Sequence, residues 1–275
     1  MATVKSCTCH GGHNPSKKIA CGAVGFLDES KEDRLINTEV IRLLKKYGVT
    51  TYNCTVNNGT SQSDVLRKIV KKCNSHATNL DISFHFNSGR NDKKGDKKIG
   101  GVEVWLKTNS GIRKEVANRI LKNMGALGFT VRGIKRTDGL YFLNHTDSAA
   151  ILVEVTFVDD KDDYKLYNKL GYKTVAKAIA EGILNKKIIE SSTTDSPSTS
   201  KSFKEGEYNR KVKTTTALNV REKRDASSEK LGTLPKGTEV KVLYILEGKD
   251  GNLWGSIDFG KTIGMISLKF TTPVN

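Results

Sequence analysis

The chain has 275 residues and carries 46 Lys and Arg against 30 Asp and Glu, a formal net charge of +16. That length accommodates one good-sized domain and a smaller one, and a 36% apolar content excludes a disordered chain. The excess of positive charge points to a polyanionic partner, nucleic acid, an anionic membrane surface or a Gram-positive wall bearing teichoic phosphates, and does not choose among them.

In chain order, the first strand runs into Gly11-Gly12-His13-Asn14-Pro15, and Glu29 stands just before a helix that Ser30 and Asp33 are placed to cap. Ile36, Val40, Leu43 and Leu44 recur at helical spacing, and Gly48 stops the helix. Thr50 to Val56 reads as a strand, and Ser63 to Asn74 as a helix with Leu66, Ile69, Val70 and Cys73 on its apolar side. In the strand Asp81 to Asn87, Ile82, Phe84 and Phe86 alternate with Ser83, His85 and Asn87. A basic loop from Gly89 to Gly101 leads to Val102–Leu106, then to a helix carrying Ile112, Val116, Ile120 and Met124. Strands are expected at Thr130 to Ile134 and Leu140 to Leu143, then the apolar run Ile151 to Val158, then one helical region from about Asp162 to Lys187. This alternation predicts an α/β fold: an open, twisted, mostly parallel or mixed sheet with helices on both faces. Residues 188–206 are rich in Ser, Thr, Asp, Pro and Lys and read as a flexible linker between a domain at 1–187 and one at 207–275. The latter consists of short strands separated by Lys-Gly, Asp-Gly and Gly-Lys turns, the pattern of a small all-β barrel.

Strand ends at the carboxyl edge of such a sheet are where cofactors sit. His13, Glu29 and His85 all fall there, and a His-Glu-His set with an open fourth position is what a zinc hydrolase uses. Either histidine alone is more often structural. Glu154, inside Ile-Leu-Val-Glu-Val-Thr-Phe-Val, would cost several kcal/mol if buried unpaired. Its bland reading is a partner of Lys135 or Arg136, and its functional reading is a general base beside a metal. His10 competes with His13 as a ligand, and Cys7, Cys9 and His10 compose a weak soft-metal pattern. His76 reads as a surface residue, and His145 as surface or groove lining.

The segments Gly12-His13-Asn14, Gly22-Ala-Val-Gly25 with Glu29, Ile82-Ser-Phe-His85-Phe-Asn87, Gly101-Val-Glu-Val104, Arg132-Gly-Ile-Lys135 and Leu152-Val-Glu154-Val-Thr-Phe157 resemble the zinc-dependent N-acetylmuramoyl-L-alanine amidases of type 3. That resemblance implies Zn2+ held by His13, Glu29 and His85, Glu154 as the catalytic carboxylate, and cleavage between N-acetylmuramic acid and the L-alanine of the stem peptide. The rival readings are a zinc peptidase cutting within the stem peptide, and a binding protein whose metal site is lost or structural. From about Tyr208 to Val274 the chain resembles bacterial SH3-like cell-wall-targeting domains, with Asn219, Arg221 and Trp254 as wall-binding candidates and Met265 where a tryptophan is common. The expected partners are Gram-positive peptidoglycan and wall polyanions, with no nucleic acid. Five cysteines in the N-terminal third, an N-terminus without the apolar core of a signal peptide and no apolar run of bilayer length suggest a phage endolysin stored in the host cytoplasm, acting at the wall after release. A host-encoded autolysin is the alternative source of the same activity.

Overall fold

In a computed structural model, which describes residues 3–188, 203–248, 251–260 and 262–274, the chain divides into two compact units, 1–190 and 191–275. The first is laid out by strand alternation. Its strands are β1 (Ser6–Gly11), β2 (Thr50–Asn53), β3 (Leu80–Asn87), β4 (Val102–Leu106), β5 (Val131–Arg136) and β6 (Ala150–Phe157), in sheet order β2-β1-β3-β6-β4-β5. The first four strands in that order run parallel, whereas β4 is antiparallel to β6 and carries β5 parallel to itself. The sheet is therefore mixed.

One face of β3 and β6 presents Ile82, Phe84, Phe86, Ile151, Val153 and Val155 to the larger core. Over it lie α1 (Glu29–Lys46), α3 (Gly111–Ala126) and α6 (Tyr172–Leu184), contributing Ile36, Leu43, Val116, Ile120, Val175 and Ile179 among others. Each such side chain stabilises the fold by about 1.5–3 kcal/mol. On the other face α2 (Gln62–Asn74) and the short α4 (Tyr141–His145) bury Val65, Ile69, Phe142 and Leu143 against Leu152. Because side chains alternate, His85 and Glu154 must point to this second face, where the helical cover is thinner.

Several local expectations are corrected. Helix α1 begins at Glu29 with extended Asp28 as its N-cap, and Ser30 Oγ donates to Asp28 Oδ1 at 2.8 Å. Strand β2 ends at Asn53, whose side chain accepts the Thr55 N–H and turns the chain. Leu140 to Leu143 is not a strand: Tyr141 to His145 form one helical turn packed on α2. The expected helix 162–187 is two helices, α5 (Lys161–Leu170) and α6, parted at Gly171, whose φ of +75° suits glycine. In α2 Val65 takes the core position and Leu66 is only partly buried. Of the expected linker, residues 189–202 lie outside the described residues. Ile188 is buried, and its N–H donates to Glu181 Oε1.

The second unit is one antiparallel sheet in the order β13-β7-β10-β11-β12-β8-β9. Its strands are β7 (Gly206–Thr214), β8 (Leu218–Arg221), β9 (Lys230–Leu234), β10 (Glu239–Glu247), β11 (Leu253–Phe259), β12 (Thr262–Ser267) and β13 (Thr271–Pro273). Val212, Val220, Val242, Ile245, Ile257 and Ile266 form its core.

Candidate metal centre and active site

Glu29 is the pivot of the site. As the first residue of α1 its carboxylate lies at the positive end of the helix dipole. Its Oε2 accepts the Ala23 N–H at 2.8 Å, and its Oε1 accepts the Phe86 N–H at 3.1 Å. That second donor is free because β3 slips register between His85 and Asn87. The same Oε1 lies 3.0 Å from His13 Nε2 and 3.0 Å from His85 Nδ1, and those two nitrogens are 3.0 Å from each other.

Protons alone do not satisfy this triangle. If both imidazoles donate to Glu29, two N–H groups confront each other. If one imidazole accepts from the other, an edge to the carboxylate is left as lone pair against lone pair. A single divalent cation receives all three lone pairs, and two imidazoles with one carboxylate are a zinc-type donor set. The residues present therefore fit the ion the sequence suggests. His13 and His85 are part-buried and Glu29 is buried. Burial pushes the Glu29 carboxyl up, but hydrogen bonds from His13 and His85 outweigh it and hold it well below the usual range. The His85 imidazole is lowered by burial, with Glu29 opposing. Arg34 fixes the loop carrying His13, donating to the His13 carbonyl at 2.6 Å and the Val56 carbonyl at 3.0 Å.

Two glycines make room. A β-carbon on Gly12 would come within 2.0 Å of the His85 ring, and one on Gly22, where φ is +75°, would lie 2.5 Å from Glu29 Oε2.

Glu154 is paired in register with His85 on one side and Glu103 on the other. Its Oε2 is buried without a hydrogen-bond partner among the described residues. Burial, then the charges of Glu29 and Glu103, push its carboxyl well above the usual range. Neither Lys135 nor Arg136 forms an ion pair with it. The strand pairing instead brings in residues to which the sequence assigned no role: Glu103, Asn87, Trp105 and Arg132. Glu103 Oε1 accepts from Asn87 Nδ2 at 3.0 Å and Trp105 Nε1 at 3.1 Å, and its Oε2 accepts from Arg132 Nε at 2.8 Å. A second acidic residue in a short strand, Val-Glu-Val, was the available signal. On the other side of the triad a cavity of about 220 Å³ is lined by His10, Leu66, Tyr141 and Phe142.

His10 is not a ligand. It is buried edge-on to Phe142 at 4.7 Å, with its pKa lowered to about 3 by burial, then by His85 and His13. Cys7 and Cys9 pack in the larger core with sulfurs 3.7 Å apart, whereas His10 Nδ1 lies 4.0 Å from Cys73 Sγ, so no Cys-Cys-His cluster forms. His76 stacks on Tyr52. His145 is exposed, stacked on Tyr141, and does not line the cavity.

In the second unit Asn219, Arg221 and Trp254 line one groove of about 480 Å³, together with Lys269 and Phe270. Trp254 is buried at 3% exposure, so it shapes the groove floor, and the exposed aromatic in the groove's lining is Phe270 at 41%.

Residues 7–185 match the family described as N-acetylmuramoyl-L-alanine amidase, and residues 216–269 match the bacterial SH3 domain. An uncharacterized protein of Clostridium perfringens is 31% identical over 251 residues, covering 87% of this chain and 69% of that protein. The endolysin of Bacillus phage SPP1 is 24% identical over 250 residues, covering 89% of this chain and 76% of the relative. Among solved structures, the catalytic domain of the CD27L endolysin, described as targeting Clostridia Difficile, superposes with a TM-score of 0.60 at 28% identity over 67% of this chain and 99% of that domain.

Proposed function

The chain belongs to the N-acetylmuramoyl-L-alanine amidase family and carries a bacterial SH3 domain, and from that premise we propose a zinc-dependent reaction in which His13, Glu29 and His85 hold the ion and Glu154 moves the proton. It is a peptidoglycan amidase, cutting between N-acetylmuramic acid and the L-alanine of the stem peptide. The observation that carries the zinc reading is the 3.0 Å triangle formed by His13, Glu29 and His85 beside a buried carboxylate oxygen without a partner among the described residues. Bound there, zinc supplies Lewis acidity, polarising the scissile carbonyl and making water acidic. Glu154 takes the proton of the attacking water and returns it to the leaving L-alanine amine. Its high proton affinity, set by burial and by Glu29 and Glu103, suits the second half of that exchange. Gly12 leaves the space that the His85 ring occupies, and Arg34 holds the His13 loop by its carbonyl.

The SH3 groove around Asn219, Arg221 and Phe270 is the wall-binding surface in this reading, and the excess of lysine draws the chain to wall polyanions. Tethering then raises the local concentration of the amidase at its substrate. The five cysteines are free thiols, which supports storage in a reducing cytoplasm before action at the wall. Likeness to a phage endolysin supports a phage origin and a role in cytolysis.

The test is product analysis on Gram-positive walls. The zinc-loaded chain should release the lactyl carboxyl of muramic acid and a new L-alanine amine. Glu154→Gln should lower the rate by about 10²- to 10⁴-fold at unchanged zinc content, and His13→Ala should lose the zinc. Undiminished lysis by the Glu154→Gln chain overturns the mechanism, and a new amine within the stem peptide would mark a peptidase.

A further inference from the structure

Beyond Glu154, the same face of the sheet holds a cation that the hydrolytic chemistry does not use. Arg132, at the start of β5, is fixed on two sides. Its Nε donates to Glu103 Oε2 at 2.8 Å, and its guanidinium lies over the Phe157 ring at 5.0 Å. Glu103 is itself immobilised, 3% exposed and holding Asn87 and Trp105 on its other oxygen. What remains of Arg132 is the pair of Nη atoms, which have no partner among the described residues, on a side chain 35% exposed to solvent. A guanidinium held by its Nε edge and one face is a preorganised fork, and a fork binds a carboxylate through two parallel hydrogen bonds with little ordering cost.

Its place is set by the strand order. β6 carries Glu154, β4 carries Glu103 and β5 carries Arg132. Two strand spacings put Arg132 about 10 Å from Glu154 along the sheet, and an extended peptide advances about 3.3–3.6 Å per residue. With the length of the arginine side chain, the fork reaches a group one or two residues past the scissile amide. The sugar side of that amide offers hydroxyl and acetamido groups without charge. The peptide side offers free carboxylates.

We propose that Arg132 is a specificity-determining residue that takes a carboxylate of the stem peptide one or two residues beyond the L-alanine, with Glu103 and Phe157 as the residues that position it. This rests on the amidase reading above and adds to it a preference for an acidic peptide. One carboxylate-to-fork contact that is lost when the carboxylate is neutralised corresponds to roughly 10- to 100-fold in kcat/KM.

The experiment uses the full zinc-loaded chain and two N-acetylmuramoyl tetrapeptides that differ only in the second residue, a glutamate joined to the third through its γ-carboxyl, whose α-carboxylate is free in one and amidated in the other. The wild type should prefer the free acid by roughly 10- to 100-fold. Arg132→Ala should abolish the preference, bringing kcat/KM on the acid down to that on the amide whatever change both substrates share through Glu103, while the acid-to-amide ratio of Arg132→Lys should fall between. If Arg132→Ala does not fold because Glu103 is left buried without its cation, Arg132→Lys carries the comparison, since it keeps the charge and loses the fork. Equal wild-type rates on both peptides, or a preference that survives in Arg132→Ala, overturn the proposal. Absence of cleavage of either peptide by the wild type overturns the amidase reading instead. In that case the binding of both peptides to the Glu154→Gln chain, with and without Arg132→Ala, decides the fork separately: equal affinities refute it, and tighter binding of the acid that Arg132 alone confers upholds it.

Discussion

Gly12→Ala should separate the fold from the proposed metal centre. The added methyl carbon would sit 1.9 Å from Cε1 and 2.0 Å from Nε2 of His85. To restore ordinary contact at 3.4 Å the ring must retreat by about 1.5 Å, and Nδ1 travels with it. A zinc–nitrogen bond is about 2.0–2.1 Å long and a working site tolerates about 0.2 Å of error, so the displaced ring ceases to be a ligand. Misplacement on this scale costs on the order of 10²-fold in rate, and overpacking costs about 1–3 kcal/mol of stability. Three readings on one preparation check this: zinc per chain after dialysis, the rate of L-alanine amine release and the melting temperature. Zinc should become substoichiometric and the rate should fall by at least about 10²-fold, in a protein that still melts cooperatively. Stoichiometric zinc with a rate within about twofold of wild type would show that His85 does not lie against Gly12, and the geometry of the centre as described would be wrong.

Two further outcomes are expected. Asp33 is fully buried, and burial, with the Glu29 charge adding and Arg34 opposing, raises its pKa to about 8. The folded chain then holds a proton that the unfolded chain releases near pH 4, so this group costs stability progressively as pH rises from there to about 8. Asp33→Asn, measured in chelator, should therefore melt higher than wild type at pH 8 and no higher at pH 4; a pH-independent difference refutes the assignment. Chelation should lower only the calorimetric transition of the amidase unit, by the free energy linked to a resident ion, about 4 kcal/mol at a thousandfold excess over Kd. If neither transition moves, the triad holds no ion.

Periodicity made much of this legible. Ile36, Val40, Leu43 and Leu44 set the inner stripe of α1, and the alternation in β3 alone put His85 opposite Phe84. Glu154 stood out because a carboxylate in an apolar run demands a reason. What failed was local or long-range. Tyr141-Phe-Leu reads as strand by propensity, yet contact with α2 makes it helical. Strand β7 carries little local signal because, of its Arg-Lys-Val-Lys run, only Val212 enters the core. The Glu103–Arg132 pair spans 29 residues and joins β4 to β5, and its place beside Glu154 depends on β4 running against β6, a reversal that no local pattern encodes.

That reversal has a consequence for how such an enzyme changes its diet. In a wholly parallel sheet the segment entering a strand lies at the opposite rim from the catalytic ends. Here Asp163 grips Gly101, at the entrance to β4, and Phe157, at the exit of β6, with a single carboxylate. The stretch 88–101 is thereby held at the rim where β3 and β6 end, tethered by aspartates 159, 160 and 162. Insertions and deletions there would reshape that rim while leaving His13, Glu29 and His85 in place.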